Sequence, residues 1–115
     1  MAKNDVTGLS EWSQWANSLG GELERAVGRD FETFAGRVES RAKATAPVDT
    51  GELRASIQHD VRGANGTIEA TAEHAPYVEF GTSRQRAQPF FYPAVDREMV
   101  NLERDINRTL YEVFR

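Results

Sequence analysis

The sequence predicts an α+β fold: N-terminal helices, a small antiparallel β-sheet built on a hairpin, and a long C-terminal helix. Three observations carry that prediction. Near each end of the 115-residue chain, apolar residues recur in steps of three and four, the spacing of a helical stripe. Between them lie two short runs in which apolar and polar residues alternate, the pattern of half-buried strands. Those runs flank the dipeptide Asn65-Gly66, a strong hairpin turn signal because both residues tolerate positive φ.

The first stripe is Trp12, Trp15, Leu19, Leu23, Val27, Phe31, Phe34 and Val38. Ser10 is a plausible N-cap, since its hydroxyl can accept from an orphan amide of the first turn. Gly20 and Gly21 interrupt the stripe, and each weakens a helix by about 1 kcal/mol relative to alanine. The expectation is a short helix, a kink or break, and then a longer helix to about Ala44. Pro47 biases its preceding residue away from helical geometry and ends that helix. In the following "APVDTGELRASI", Asp49 and Glu52 have the spacing of a capping box, with Thr50 as a rival cap. Either choice gives one short helical turn through Leu53 and Ala55.

Ile57, His59 and Val61 alternate with polar neighbours, as do Ile68, Ala70 and Ala72. The expected hairpin pairs roughly 56–63 with 67–73. An isolated hairpin is marginal in water, so the helices, a third strand or another copy must support it. The segment after the hairpin is the candidate third strand. Pro93 suits a first helical turn, where its missing N–H costs nothing. From there Val95, Met99, Leu102, Ile106, Leu110 and Val113 form the second stripe. Asp96 and Glu98 near the start and Arg115 at the end suit the helix dipole.

Length suits a single domain over 1–115, with 1–9 expected to be disordered. A chain this long can bury roughly two thirds of its unfolded surface without metal or disulfide staples. There are no cysteines, which removes disulfides, thiolate catalysis and zinc–thiolate sites together. The net charge of −4 argues against nonspecific nucleic-acid binding by the whole surface. No window approaches the length of an apolar membrane span, and "MAKNDVTGLS" lacks the apolar core of a secretory signal.

Few groups could carry catalysis. His59 and His74, the two histidines, could face each other near the open end of the hairpin, and with Glu73 or Glu79 would make a minimal metal site. No metal-ligand motif of defined spacing supports it. The serines lack a nucleophile-elbow context, and the glycines match neither a P-loop nor a dinucleotide fingerprint. Arg84 and Arg86 stand in "GTSRQRAQ" without an acid among them. Beside the nearby aromatics they could contact phosphates, but two charges are too few for tight binding and a solvated loop is the favoured reading. Trp12 and Trp15 read as core, with a role at a partner's surface as the alternative.

Two motifs stand together: "APVDTGELRASI" at 46–57 and "HAPYVEFGTSRQRAQPFFYPAV" at 74–95. Their order, the hairpin between them and the flanking helices resemble a family of small tail-component or neck proteins of long-tailed bacteriophages. The family pattern is Pro-x-x-Thr-Gly-x-Leu-x-x-Ser-Ile, then a turn containing Glu-x-Gly-Thr, then Pro-Phe and a helix. Pro47, Thr50, Gly51, Leu53, Ser56 and Ile57 match its first part. Tyr77, Val78, Glu79, Phe80, Gly81, Thr82, Gln88, Pro89, Phe90 and Ala94 match its second. His74 stands where a tyrosine is expected. The resemblance covers roughly residues 25–110, and the tryptophan segment carries none of it.

The resemblance implies a structural protein rather than an enzyme, without cofactor, metal, membrane or small-molecule substrate. It implies a ring of the chain's own copies, hexameric, at the head–tail junction or the head-proximal end of the tail. There it would meet a connector or head-closure protein and a tail terminator or tail-tube protein, with DNA passing through the lumen. It would reside in the virion, and in the host cytoplasm during assembly. The interface residues implied are Glu79, Phe80, Gly81, Thr82, Arg84, Arg86, Gln88, Pro89 and Phe90. Pro47, Asp49, Thr50, Gly51 and Leu53 form the structural motif. The alternatives are a nucleic-acid-contacting assembly factor working through Arg84 and Arg86, and a metal-dependent hydrolase built on His59, His74 and Glu79.

Overall fold

The structure, a computed structural model, describes residues 21–48 and 51–115. The expectations for residues 1–9, Ser10, Trp12, Trp15, Leu19, Gly20, Asp49 and Thr50 lie outside the described residues. The elements run α1 (Gly21–Thr45), α2 (Glu52–Ala55), β1 (Ile57–Arg62), β2 (Asn65–Ala70), α3 (Ala75–Phe80) and α4 (Tyr92–Phe114). This is the α+β architecture read from the sequence. Leu23, Val27 and Val38 of the first stripe are buried on α1, and Pro47 lies just past its end. A glycine, Gly51, takes the N-cap position of α2, with φ +85 and no side-chain capping bond.

The main core gathers Val38 and Ala42 of α1, Leu53 of α2, Ile57 of β1, Val78 of α3, and Phe90 with Ala94 at the start of α4. A second cluster, Leu23 and Val27 with Phe31, Leu110 and Val113, closes the far end of the α1–α4 pair. Phe90 is among the largest fully buried side chains, and such burial contributes about 1.5–3 kcal/mol.

Two expectations about the sheet are corrected. The turn is not Asn65-Gly66: Arg62 pairs with Asn65 and Val61 with Gly66, so Gly63 and Ala64 form the two-residue loop. Gly63 has φ +58, the positive φ a type II′ turn needs at its first central residue. The helix beneath explains the choice. The Gly63 carbonyl oxygen sits 2.5 Å from where a Cβ on Gly28 would stand, so the turn rests on bare helix backbone. The sheet also has two strands, with no third among the described residues. The candidate third strand is instead α3, with Pro76 in its first turn. Proline cannot donate to a ladder but fits the start of a helix.

The rotation of α4 also differs from expectation. Met99, assigned to the inward stripe, is 49% exposed, whereas Glu98 is 3% exposed. Glu98 accepts from Arg41 Nε on α1 and, at 3.0 Å, from Asn101 Nδ2; Arg37 lies 4.0 Å away. The Asn101 bond and then Arg41 hold the Glu98 pKa below its ordinary value despite burial. Glu98 therefore faces α1 rather than merely complementing the helix dipole, and Thr109 donates to Asp30 of α1 further along.

His59 ties β1 to α1. Its Nε2 is 2.7 Å from Glu32 Oε2 and its Nδ1 is 2.6 Å from Glu39 Oε1. Carboxylates only accept, so both ring nitrogens must donate, and the imidazolium is the form that fits. The Glu32 bond and then the Glu39 bond hold the His59 pKa above its ordinary value. Lys43, 2.8 Å from Glu39, and then His59 hold Glu39 below its own.

A pH test follows. The contribution of His59 is complete below its unfolded pKa of about 6.5 and is lost as pH rises through the raised folded value. Urea midpoints of the wild-type protein should decline as pH rises from about 6.5 through the raised folded value, and His59→Gln should flatten that decline. An identical slope in the variant would show that the imidazolium is not what holds the hairpin.

Candidate functional site

The second motif wraps around α3. In the stretch 74–95, Glu79 is the single acidic residue. It is buried, 7% exposed, and its carboxylate accepts three backbone N–H groups. Phe90 and Phe91 donate to Oε1 at 2.9 Å each, and Tyr92 donates to Oε2 at 3.0 Å. The Tyr92 amide is an orphan of the first turn of α4 and the Phe90 and Phe91 amides lead into it; the N-cap, Phe91, makes no side-chain capping bond. The cap is therefore supplied from another helix, and a carboxylate suits the positive end of α4.

Gly81 makes the exit from α3. Its φ of +79 with ψ 172 is backbone open almost only to glycine, and a Cβ there would lie 2.8 Å from Ala87 N. Beyond it the loop closes on itself. Thr82 N donates to Gln85 O at 2.9 Å, and the Thr82 hydroxyl accepts from Arg84 N and Gln85 N at 3.2 and 3.0 Å. Gln88 N donates to Val78 O at 2.8 Å, which pins the returning strand of the loop to α3. The tip, with Ser83, Arg84 and Arg86, is exposed. Among the described residues neither arginine forms an ion pair with a carboxylate.

The two sequence motifs meet in space. Pro47, Gly51 and Leu53 from the first line a cleft of about 470 Å³ with His74, Tyr77, Val78, Thr82 and Gln85 from the second. A second, apolar cleft of about 200 Å³ lies between β2, α3 and the start of α4, lined in part by Ile68, Ala75, Pro76, Phe80 and Tyr92. The three phenylalanines divide between roles. Phe90 is buried and Phe91 partly so, whereas Phe80 is 68% exposed. Phe80 lies against Tyr92 with ring centroids 6.0 Å apart. Tyr77 and Tyr92 are also exposed.

Among the sequence-derived candidates, Phe80, Thr82, Arg84, Arg86, Gln88 and Pro89 stand at the surface. Glu79, Gly81 and Phe90 hold the backbone beneath them. The metal alternative loses its geometry. His59 is engaged by Glu32 and Glu39, Glu79 is filled by three amides, and His74 is exposed at the N-cap of α3. Among the described residues no group of three or more His, Cys, Asp or Glu could hold a metal ion. Sequence reasoning missed two features. Tyr92 extends the exposed aromatic surface, and Glu79 is the cap of α4. The second had a partial signal: Pro93 marks a helix start in need of an acceptor, and Glu79 is the single acidic residue that the second motif places upstream of it.

A protein-family model described as "Bacteriophage HK97-gp10, putative tail-component" matches residues 13–81. The match takes in the first motif, the hairpin and α3, and stops at Gly81. It starts further upstream than the resemblance read from the motifs, and so includes Trp15. No curated protein and no solved structure matches the chain.

Two substitutions test this geometry. Glu79→Ala leaves three backbone N–H groups without their acceptor and should cost about 3 kcal/mol or more. Urea unfolding reads the loss, and Glu79→Gln, which keeps one acceptor oxygen, should cost less. Gly81→Val should cost about 1–3 kcal/mol through forced backbone strain, while Ser83→Ala stays within about 0.5 kcal/mol. A Gly81→Val protein that melts like the wild type would mark this position as ordinary backbone.

Proposed function

We propose that this chain, which belongs to the bacteriophage HK97-gp10-like tail-component family, forms a ring at the head–tail junction or the head-proximal end of the tail. Residues 1–115 act as one domain in it. Its role is structural: it completes the neck or tail and joins head to tail. Its partners are its own copies, six to a ring, together with a connector or head-closure protein on one side and a tail terminator or tail-tube protein on the other. DNA passes through the lumen. The protein resides in the virion and assembles in the host cytoplasm.

The observation that carries this reading is the placement of the second motif. Its outward residues, Phe80, Thr82, Arg84, Arg86, Gln88 and Pro89, are exposed on a backbone held by Glu79, Gly81 and Phe90. Such a preformed surface loses little entropy on docking. Pro47, Gly51 and Leu53 line the cleft beside it, and the motif they belong to includes Asp49 and Thr50 in sequence. The two-stranded sheet also leaves both strands with an outer edge in reach of a neighbour, and closed rings satisfy such edges without open-ended aggregation.

An amber mutant tests the reading. Lysates of a phage unable to make this protein should contain DNA-filled heads and complete-looking tails that fail to join or to stay joined. Electron microscopy distinguishes the outcomes. Normal infectious particles would refute the assignment, and an arrest before DNA packaging would move the role to the capsid.

A further inference from the structure

We infer that the cleft between β2, α3 and the start of α4 is an arginine-accepting site, and that its occupant is the Arg84–Arg86 loop tip of a second copy of this chain. This rests on the ring reading above and names the contact that would build the ring.

The cleft has the chemistry of a guanidinium site. Phe80, Phe91 and Tyr92 supply its aromatic walls, and Glu69 stands at its β2 margin. Phe80 and Tyr92 are more than half exposed, and their rings are 6.0 Å apart, tilted by 38°. Phe91 meets Tyr92 edge-on at 5.6 Å. Gln58 donates to Oε2 of Glu69 at 3.1 Å, which leaves Oε1 available. A planar, weakly hydrated guanidinium stacks on aromatic faces and donates to a carboxylate at once; an ammonium does neither as well.

Charge complementarity selects the occupant. The loop Thr82–Pro89 carries Arg84 and Arg86 and no acid, and the tip is exposed. On the outer face of the hairpin, Asp60 and Glu69 stand against Arg62 alone, and Glu73 follows. The two surfaces also lie on opposite sides of α3. The arginine-accepting cleft is lined by Ala75, Pro76, Glu79 and Phe80, whereas the loop packs against the side bearing His74, Tyr77 and Val78. At 100° per residue these two sets point about half a turn apart. A chain cannot fill its cleft with its own loop, but each copy can fill the next, and such head-to-tail contacts close into rings.

The chain has no cysteine, so introduced pairs report cleanly. Thr67 neighbours Glu69 on the outer face of β2, and Ser83 neighbours Arg84. A full-length chain carrying both Thr67→Cys and Ser83→Cys, oxidised at assembly concentration and within phage particles, should give a ladder of disulfide-linked oligomers. Each single-cysteine chain should give no ladder. Arg84→Glu with Arg86→Glu should abolish the ladder, and adding Glu69→Arg should restore it. A ladder that survives the charge reversal, or is not restored by Glu69→Arg, overturns the pairing. So does its absence from a chain that still sediments as an oligomer, an outcome that leaves the ring reading intact. A chain that is monomeric both in solution and in particles overturns the pairing and the ring together.

Discussion

The fold depends on one carboxylate. Glu79 gathers the amides of Phe90, Phe91 and Tyr92, and so fixes where α4 begins and how it leaves the core. Every neighbouring feature follows from that bond set. Phe90 is drawn beneath α3 into the core, and the chain between Gly81 and Pro89 must close as a loop. Gly81 must take a positive φ to allow it, and Phe80 is turned outward beside Tyr92. A buried carboxylate is costly without partners. Here three charge-assisted bonds offset that cost and satisfy donors that would themselves be orphans.

The rest of the helix–helix and helix–sheet packing is more polar than a chain with two apolar stripes would suggest. Glu98 lies between α4 and α1 with Arg41 and Asn101, and His59 spans Glu32 and Glu39 of the same helix. Apolar packing alone would tolerate small rotations of α4 and sliding of the hairpin. Directional bonds at fixed positions do not, so these polar groups set the rotation and height of each element on α1. Breaking such a pair strands its partner, which makes the arrangement specific more than it makes it strong. The close seat of Gly63 on Gly28 has the same effect by sterics.

For a structural virion protein this division of labour makes sense. The residues that hold the second motif are buried and bonded. Those that point outward, Phe80, Tyr92, Arg84 and Arg86, are held in place by that frame. Under the proposed ring reading, a surface built this way would keep its shape before assembly, and its aromatic and guanidinium groups are the kinds that concentrate binding energy at interfaces.

The sequence by itself determined the element types and their order. Helical stripes at both ends, the alternation in the middle, Pro47 and Pro93 are local signals, and each is read within a few residues. It also determined which face of each strand turns inward. It could not choose between a turn at Asn65-Gly66 and one at Gly63-Ala64, because the two registers differ by an even shift and keep the same side chains on the same face. Contact with Gly28, thirty-five residues away in the chain, made that choice. The rotation of α4 that buries Glu98 and exposes Met99 was likewise illegible, since it depends on Arg41 of another helix. The helical identity of 75–80 and the cap supplied by Glu79 fall between these cases. Pro76 and the lone carboxylate were visible, but their meaning required knowing that α3 and the start of α4 meet. Periodicity is a property of a segment; register, rotation and capping between elements are properties of pairs, and only the tertiary structure brings the pairs together.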